Sequence, residues 1–452
     1  MGREKLASRL GFIMLSAGCA IGLGNVWKFP YMVGQCGGAI FVLIYLFFLI
    51  ALGIPAMTME FAIGRAAQQS PVRFYQKLQN FGSIWHWHGY AAFFGNYLLM
   101  MFYTGVAGWM IDYFIKMASG QFNGLSPQEV GGVFGSMLGN PFEVLFFMIV
   151  TIFAGFGVCA IGLQNGSERI NKYMMVSLLV IMLLLVGNSF FMEGSAEGLK
   201  FFLMPDIDRF MEIGPGQVVL GALNQAFFTL SVGIGNMAIF GSYIGKERRL
   251  LGESMNVAFL DTFVAVSAGL IIFPACFAYG IKPDAGPSLI FITLPNVFNH
   301  MPMGQLWGSL FFVFMSFAAF STVVGVFENI VSCTKEMTGF SRRKACAINA
   351  VLVSLLSAPC MLGFNVWAGF QPFGKGSCVL DLEDFIFSNL LLPLGALVFV
   401  LFCTWKHGWG WDNFVNEANT GKGLAIKEWM RPFMSYVIPV IIFVIWLLGI
   451  IK

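Results

Sequence analysis

Apolar stretches long enough to cross a bilayer follow one another along almost the whole chain. A membrane-spanning helix needs about 20 mainly apolar residues, and eleven stretches meet this need: 10–35, 38–63, 89–115, 142–162, 172–192, 215–243, 254–279, 304–333, 345–365, 384–405 and 432–451. We number them spans 1 to 11. Charged residues make up only 11% of the 452 residues, against about 25% in soluble domains. The sequence therefore predicts an all-α integral membrane protein with about 11 transmembrane helices.

The placement of lysine and arginine predicts how these spans are oriented. If the N-terminus is cytoplasmic, the inner connecting segments hold 19 of the 26 lysine and arginine residues, and the outer segments hold 6. Short cytoplasmic loops carry the excess of positive charge in membrane proteins. We therefore expect a multi-pass protein of the cell inner (plasma) membrane with its N-terminus inside. An odd number of spans then leaves the C-terminus outside.

Two spans carry the same glycine pattern. Span 1 contains Gly22-Leu23-Gly24-Asn25 and span 6 contains Gly233-Ile234-Gly235-Asn236. Each glycine costs a helix about 1 kcal/mol relative to alanine, so two of them favour a break. Interruptions at corresponding positions in two halves indicate a transporter binding site. We predict a first repeat over 1–192 (spans 1–5), a second, inverted repeat over 215–405 (spans 6–10), and an inner loop with an added span 11 over 406–452.

Motifs in several spans together resemble the neurotransmitter:sodium symporter family. The first span carries the signature from Arg9-Leu10-Gly11-Phe12 through Gly18 to Tyr31, and the other matching segments are Gly53-Ile54-Pro55 with Glu60 and Gly64-Arg65, Tyr103 with Trp109, Gln225-Ala226-Phe227-Phe228-Thr229-Leu230-Ser231, and Ser321-Thr322. They occur in order over nearly the whole chain. The resemblance implies a leucine-transporter-type 5+5 inverted repeat with broken spans 1 and 6. It also implies sodium-coupled uptake of an amino acid.

The resemblance assigns the substrate site to both breaks. The implied substrate residues are Ala20, Leu23, Gly24, Leu99, Tyr103, Phe227, Phe228, Thr229, Ser231, Ile234, Thr322 and Val326. Backbone N–H groups at a half-helix end suit a carboxylate, and freed carbonyls suit an ammonium group. Monoamine carriers of the family have aspartate in place of Gly22, so glycine leaves room for the carboxylate of an amino acid. The mostly apolar pocket favours a neutral hydrophobic or aromatic L-amino acid, whose exact identity stays open.

Two sodium ions are the cofactors that the resemblance implies. The first would bind near Ala20, Asn25, Thr229 and Asp261, and the second near Gly18, Ile21, Ala318, Ser321 and Thr322. Asp261 is a carboxylate within span 7, and such residues are functional candidates by default. Because chloride-requiring members carry neutral residues in this region, Asp261 predicts chloride independence, with proton counter-transport left open. The alternative is a structural carboxylate bonded to Gln225 or Asn25.

Charged residues near the ends of the spans are candidate gates. We predict an outer pair between Lys28 and Asp384 and an inner pair between Arg3 and Glu336, with Tyr243 nearby. Lysine lacks the bidentate fork of the arginine that is common at position 28, so the outer latch should be looser. Some bacterial relatives unwind span 5 between a glycine and a proline ten residues later. Here Gly166 is followed by Val176, which puts that route in doubt.

Other function classes fit the sequence less well. An enzyme would need a polar catalytic constellation, and the spans carry no HExxH motif or paired aspartates. We therefore expect no enzyme activity. A transport-inactive amino acid sensor or a channel-like relative would keep the same fold and stays open as the alternative. The expected partners are a small amino acid and the lipid bilayer, without nucleic acid or an obligate protein partner.

Overall fold

The computed structural model describes residues 4–192, 194–278 and 289–451, and these residues form a bundle of helices. Within those ranges, nine helices are long and apolar enough to cross a membrane, and the pair Arg9–Ala20 and Gly24–Gln35, bent by 53°, makes a tenth. Extended structure in the same ranges amounts to one isolated bridge between Arg248 and Lys422. The prediction of an all-α membrane protein is confirmed.

The long helices follow the predicted spans. Spans 1 to 5 are Arg9–Ala20 with Gly24–Gln35, Ala39–Ala67, His86–Ala118, Pro141–Ile161 and Leu163–Phe190. Spans 6 to 10 are Pro215–Thr229 with Asn236–Gly241, Leu250–Ala278, Gly304–Thr338, Arg342–Leu362 and Val379–Thr404, and span 11 ends with Ile438–Ile451. Span 6 consists of two pieces too short to cross alone, which accounts for the eleventh predicted span.

Short helices connect the spans. They are Pro71–Leu78, Pro127–Gly139, Ser195–Leu203, Ile207–Ile213, Leu289–Thr293, Leu294–His300, Trp411–Ala418 and Glu428–Met430. The segment 282–303 connects spans 7 and 8. Its first residues, including Lys282, Pro283 and Pro287, lie outside the described residues, and the rest contains the two helices between Leu289 and His300.

Span 8 lies at the centre of the bundle and packs against spans 1, 3, 4 and 5. Close approach is possible where glycine meets a bulky side chain, as at Gly155, which lies against Phe327 and Val323. The rings of Phe156 and Phe327 stack with their centroids 3.8 Å apart. This packing holds the middle of span 8 against span 4.

Both predicted breaks are present. In span 1 the helix ends at Ala20 and resumes at Gly24. In span 6 the helix ends at Thr229 and resumes at Asn236, and between them Gly233 has φ +116° and Gly235 has φ +75°. Only glycine adopts such backbone angles without a steric cost.

Span 5 has no break at the position where relatives carry a proline. It begins with a π-helical turn at Leu163–Glu168, directly after Gly162 with φ +125°. The α-helix Arg169–Phe190 then passes through Val176 without interruption. The irregular part of span 5 is therefore confined to its first turns.

Candidate functional site

The break of span 1 faces Tyr103 of span 3. The backbone N–H of Leu23 donates a hydrogen bond to the Tyr103 hydroxyl at 3.0 Å. A Cβ atom on Gly22 would overlap both this hydroxyl and Oγ1 of Thr322. Glycine at position 22 is therefore required for room, and the hydroxyl and the half-helix end lie together as an anion-binding arrangement requires.

A small cavity of about 20 Å³ lies at this point. Its lining residues are Ala20, Gly22, Gly24, Leu99, Tyr103, Phe228, Ser231, Thr322, Phe387 and Leu392. A volume of about 10–15 Å³ suffices for one water, so an amino acid enters only if the walls move apart. The closed walls belong to spans 1, 3, 6, 8 and 10.

Most of the predicted substrate residues meet at this cavity, but not all. Phe227 is fully buried away from the lining, so its neighbour Phe228 is the aromatic wall. Ile234 and Val326 are buried without lining the closed cavity. Sequence reasoning missed Phe387 and Leu392 of span 10, since no motif pointed to the apolar face of that helix.

The first predicted ion site is a compact polar cluster. Nδ2 of Asn25 donates to the backbone oxygen and to Oδ1 of Asp261, at 3.0 and 2.8 Å. Oγ1 of Thr229 donates to Oδ2 of Asp261 at 2.9 Å. The alternative of a structural carboxylate named Asn25 or Gln225 as its partner: Asn25 makes this bond, whereas Gln225 donates to the carbonyl of Gly24 at 2.9 Å. Asp261 therefore links spans 1, 6 and 7 beside the cavity.

The second predicted ion site brings five oxygens together. Oγ of Ser321 lies 2.8 Å from the Gly18 carbonyl, 2.9 Å from that of Ala318 and 3.5 Å from that of Ile21. Oγ1 of Thr322 lies 3.3 to 3.5 Å from the same three carbonyls. Two hydroxyl protons face more lone pairs than they can satisfy. Hard cations prefer such sets of carbonyl and hydroxyl oxygens, so the residues fit a sodium ion.

The break of span 6 is held by side chains from its neighbours. Oε1 of Glu60, on span 2, accepts a hydrogen bond from the N–H of Gly233 at 2.5 Å. The carbonyl of Ile234 accepts from Nδ2 of Asn96 at 2.9 Å and from Nδ2 of Asn329 at 3.4 Å. Freed backbone groups in lipid need such partners, and here spans 2, 3 and 8 supply them.

The outer gate differs from the prediction. Among the described residues no ion pair joins Lys28 to Asp384. Nζ of Lys28 lies 3.8 Å from the ring centroid of Phe228, and Oδ1 of Asp384 accepts from Ser388 at 2.7 Å. The flexible lysine chain reaches an aromatic face, while the carboxylate is satisfied one turn further along its own helix.

The end of the bundle that carries the N-terminal segment, predicted to be the inner side, is closed by a network centred on Glu328 of span 8. The Tyr243 hydroxyl lies 3.0 Å from Oε1 of Glu328 and 2.5 Å from Oγ of Ser332. Oε2 of Glu328 accepts from Ser167 at 2.8 Å and forms an ion pair with Arg342. Sequence reasoning missed Glu328, although a carboxylate within a span is a signal that could have found it.

The N-terminal segment contacts this network at its solvent-facing edge. Glu4 pairs with Lys335 at 2.9 Å and with Arg342 at 3.2 Å. The predicted partner Arg3 lies outside the described residues. Glu336 accepts hydrogen bonds from the backbone N–H and the hydroxyl of Ser70, the latter at 2.6 Å. Ion pairs of Glu4 therefore tie the N-terminal segment to spans 8 and 9.

Two broken helices, two oxygen-rich clusters and a closed cavity between them define a class of protein. This is a secondary transporter that moves a solute together with cations through a site at mid-membrane.

Comparison with known proteins identifies the family. Residues 3–123 and 134–452 match the Sodium:neurotransmitter symporter family. An uncharacterized sodium-dependent transporter, YhdH of Bacillus subtilis, is 35% identical over 98% of this chain and 96% of its own. Another from Haemophilus influenzae is 32% identical over 98% of both. The chain therefore belongs to the sodium:neurotransmitter symporter family and is a sodium-dependent symporter.

A solved structure confirms the fold. The crystal structure of MhsT in complex with L-phenylalanine superimposes with a TM-score of 0.89, at 37% sequence identity, and the match covers 99% of this chain and 100% of that one. The leucine-transporter-type fold expected from the sequence is thus confirmed.

Proposed function

We propose that this symporter takes up a neutral, hydrophobic or aromatic L-amino acid together with two sodium ions, without chloride. The observation that carries the proposal is the arrangement at Gly22, where the Leu23 N–H and the Tyr103 hydroxyl meet beside a cavity with apolar walls. Such a site suits a free carboxylate attached to an apolar side chain. MhsT, a relative of this chain, was crystallised with L-phenylalanine.

The proximity of the ion clusters to the cavity accounts for coupling. Ala20 lines the cavity, and the next residue, Ile21, contributes its carbonyl to the second cluster. Thr322 contributes to both the cavity lining and that cluster. A ligand that orders these shared residues lowers the cost of ordering them for the other ligand, so the coupling is reciprocal.

The membrane potential gives a scale for the transport that two sodium ions can drive. Moving one charge inward across 100 mV releases about 2.3 kcal/mol. Two charges therefore support roughly a thousandfold accumulation from the potential alone, since about 1.4 kcal/mol corresponds to a factor of ten. The number two follows from the two oxygen clusters and is part of the proposal.

Asp261 supports the proposal of chloride independence. Its carboxylate lies at the first ion cluster, bonded to Asn25 and Thr229. A fixed negative charge at this place offsets the charge of a bound cation as a chloride ion would. Sodium-driven uptake in proteoliposomes should therefore survive replacement of chloride by gluconate. A collapse of uptake in gluconate would contradict it.

The two gates define where the amino acid enters and leaves in the proposed transport cycle. The amino acid enters past Lys28 and Phe228 and leaves past the network around Tyr243, Glu328 and Arg342. Rocking of spans 1, 2, 6 and 7 against the rest would open one side while the other stays closed. We expect the cycle to run in the plasma membrane with the N-terminus inside, as the distribution of lysine and arginine indicates, and without an obligate protein partner.

A thermal-stability screen tests the substrate directly. The purified protein in detergent is melted with each of the twenty L-amino acids, once in sodium chloride and once in potassium chloride. Binding to the folded state raises the melting temperature, so neutral apolar or aromatic amino acids should stabilise it in sodium and much less in potassium. Stabilisation by charged amino acids alone, or equally in both salts, would contradict the proposal.

Transport itself separates a symporter from a sensor or a channel-like relative. Proteoliposomes loaded with unlabelled substrate should accumulate the labelled amino acid by counterflow when sodium is present. A sensor would bind the amino acid in the melting assay but show no counterflow. A channel-like relative would equilibrate the label without sodium dependence.

A further inference from the structure

Three fully buried asparagines meet at the break of span 6. Nδ2 of Asn329 donates to Oδ1 of Asn236 at 2.8 Å. Nδ2 of Asn329 and Nδ2 of Asn96 both point to the carbonyl of Ile234, at 3.4 and 2.9 Å. We call Asn96, Asn236 and Asn329 the amide cluster.

Part of the amide cluster has a structural task. Asn96 uses its amide protons on the carbonyls of Ala92, at 2.7 Å, and Ile234. Asn329 uses its own on Ile234 and Asn236, and its Oδ1 faces the thiol of Cys333 at 3.4 Å. These bonds satisfy the broken backbone of span 6.

Two atoms of the amide cluster take no part in these bonds. Within the described part of the chain, Oδ1 of Asn96 and Nδ2 of Asn236 have no hydrogen-bond partner, although both residues are fully buried. One is an acceptor and the other is a donor. A buried polar atom without a partner costs about 1–3 kcal/mol, so a purely structural role leaves this pair unexplained.

The amide cluster lies next to the expected side-chain pocket, about one helical turn further along the same three elements. Asn96 is three residues from Leu99 on span 3, and Asn329 is three residues from Val326 on span 8. Residues three apart share a helix face, and three residues span about 4.5 Å. Asn236 follows Ile234 by two residues on span 6. Each of the three elements thus presents an apolar residue and then an asparagine at greater depth.

We infer that the amide cluster is a polar floor that recognises a hydroxyl group at the far end of the substrate side chain. A hydroxyl donates one hydrogen bond and accepts another, which matches the acceptor on Asn96 and the donor on Asn236. The substrate class is therefore an aromatic amino acid with a phenolic hydroxyl. This inference rests on the proposed function, because it assumes that the amino acid side chain enters the pocket formed by Leu99, Ile234 and Val326.

Three ligands of nearly equal shape test the inference on the wild-type protein. L-tyrosine, L-phenylalanine and 4-methyl-L-phenylalanine are compared by melting-temperature titration in sodium chloride. The methyl analogue has the shape of tyrosine without its hydroxyl. With a polar floor, tyrosine should bind about tenfold more tightly than the methyl analogue. With an apolar floor or one filled by water alone, burial of the hydroxyl would cost free energy and the order would reverse.

Substitutions locate the effect. Asn96→Leu and Asn236→Leu should each bring the ratio of the tyrosine and methyl-analogue affinities close to one, while phenylalanine still binds. Asn349→Leu is the matched control, because Asn349 is a buried asparagine of span 9 that is bonded to Tyr97, Thr334 and Ala345 and not to the amide cluster. It should keep the wild-type ratio.

The outcomes separate the inference from the proposed function. If tyrosine and the methyl analogue bind equally, or the methyl analogue binds better, the polar floor is wrong while amino acid binding stands. If both leucine variants keep the tyrosine preference, the amide cluster is not its source. If none of the three ligands stabilises the protein in sodium, the proposed aromatic substrate itself fails. The wild-type comparison decides the question even if a leucine variant does not fold.

Discussion

Spans 1 and 6 carry the same glycine pattern, but their glycines meet different needs. In span 6, Gly233 and Gly235 have positive φ angles of +116° and +75°, which disfavour any residue with a side chain. In span 1, by contrast, Gly22 is required because a Cβ atom would overlap Tyr103 and Thr322. The glycines of span 6 permit a backbone conformation, whereas Gly22 of span 1 permits the close approach of two side chains.

The two breaks also differ in how their backbone groups are satisfied. At span 6, a carboxylate and two amides from other spans bind the freed groups of Gly233 and Ile234. At span 1, the carbonyls of Gly18 and Ile21 face hydroxyls that cannot satisfy all of their lone pairs. Other spans therefore satisfy the break of span 6, whereas the break of span 1 keeps carbonyl lone pairs without a protein donor, as the proposed sodium site requires. The following substitutions test this difference.

The largest effect is expected at Gly22. Gly22→Ala places a methyl group against the Tyr103 hydroxyl and Thr322. Overpacking of this kind costs about 1–3 kcal/mol, and the upper end corresponds to about a hundredfold weaker amino acid binding. Isothermal titration in sodium chloride measures the loss.

The control for this variant is Gly157→Ala, because a Cβ atom at Gly157 meets open space. It should bind the amino acid as the wild type does. If Gly22→Ala binds normally as well, the interpretation of Gly22 as the space for a carboxylate is wrong.

A smaller effect, on stability rather than binding, is expected at span 6. Glu60→Leu removes the acceptor for the N–H of Gly233 and should lower the free energy of unfolding by about 2 kcal/mol. The loss should be similar with and without sodium, because protein groups rather than an ion satisfy the freed backbone groups of span 6. Melting curves in sodium and in potassium test this, with Glu60→Gln, which retains an acceptor, as the control. A loss seen only in sodium would contradict the comparison.

Removal of a hydroxyl from span 8 should weaken sodium binding. Ser321→Ala removes one of the five oxygens of the second cluster, and we expect about tenfold weaker sodium binding, since a hydrogen bond or ligand of this kind contributes about 1.4 kcal/mol. Ser316→Ala is the matched control on the same helix, because the Ser316 hydroxyl has no partner among the described residues. The sodium dependence of the melting temperature measures the shift. Equal sodium affinity in both variants would remove the second ion from the proposal.

The smallest effect is expected at the outer end of span 1. Lys28→Met removes the contact between Nζ and the ring of Phe228, both of them half-buried, and a contact of this kind contributes about 1 kcal/mol. Substrate affinity should therefore fall by less than about fivefold. Competition binding with a labelled amino acid measures it. A much larger loss would mean that Lys28 pairs with Asp384 during the cycle, as the sequence predicted.

Much of the fold, and the polar clusters proposed as ion sites, could be predicted from short stretches of the sequence. Asn25 and the Ser321-Thr322 pair lie in recognisable motifs, and the structure brings them to their expected neighbours. The partners of the gate residues were harder to predict, since Lys28 has a long flexible side chain that can reach several groups. Glu328 and Arg342 close the inner side together although no motif joins them.

The sequence by itself determined that the chain forms a series of membrane-spanning helices and the two places where helices break. These follow from composition and from glycine, whose effects act within a few residues. Only the tertiary structure decided what each break is for. Whether a freed carbonyl meets the amide of Asn96 or the hydroxyl of Ser321 depends on which distant spans pack against it, and packing between spans more than a hundred residues apart leaves no local pattern.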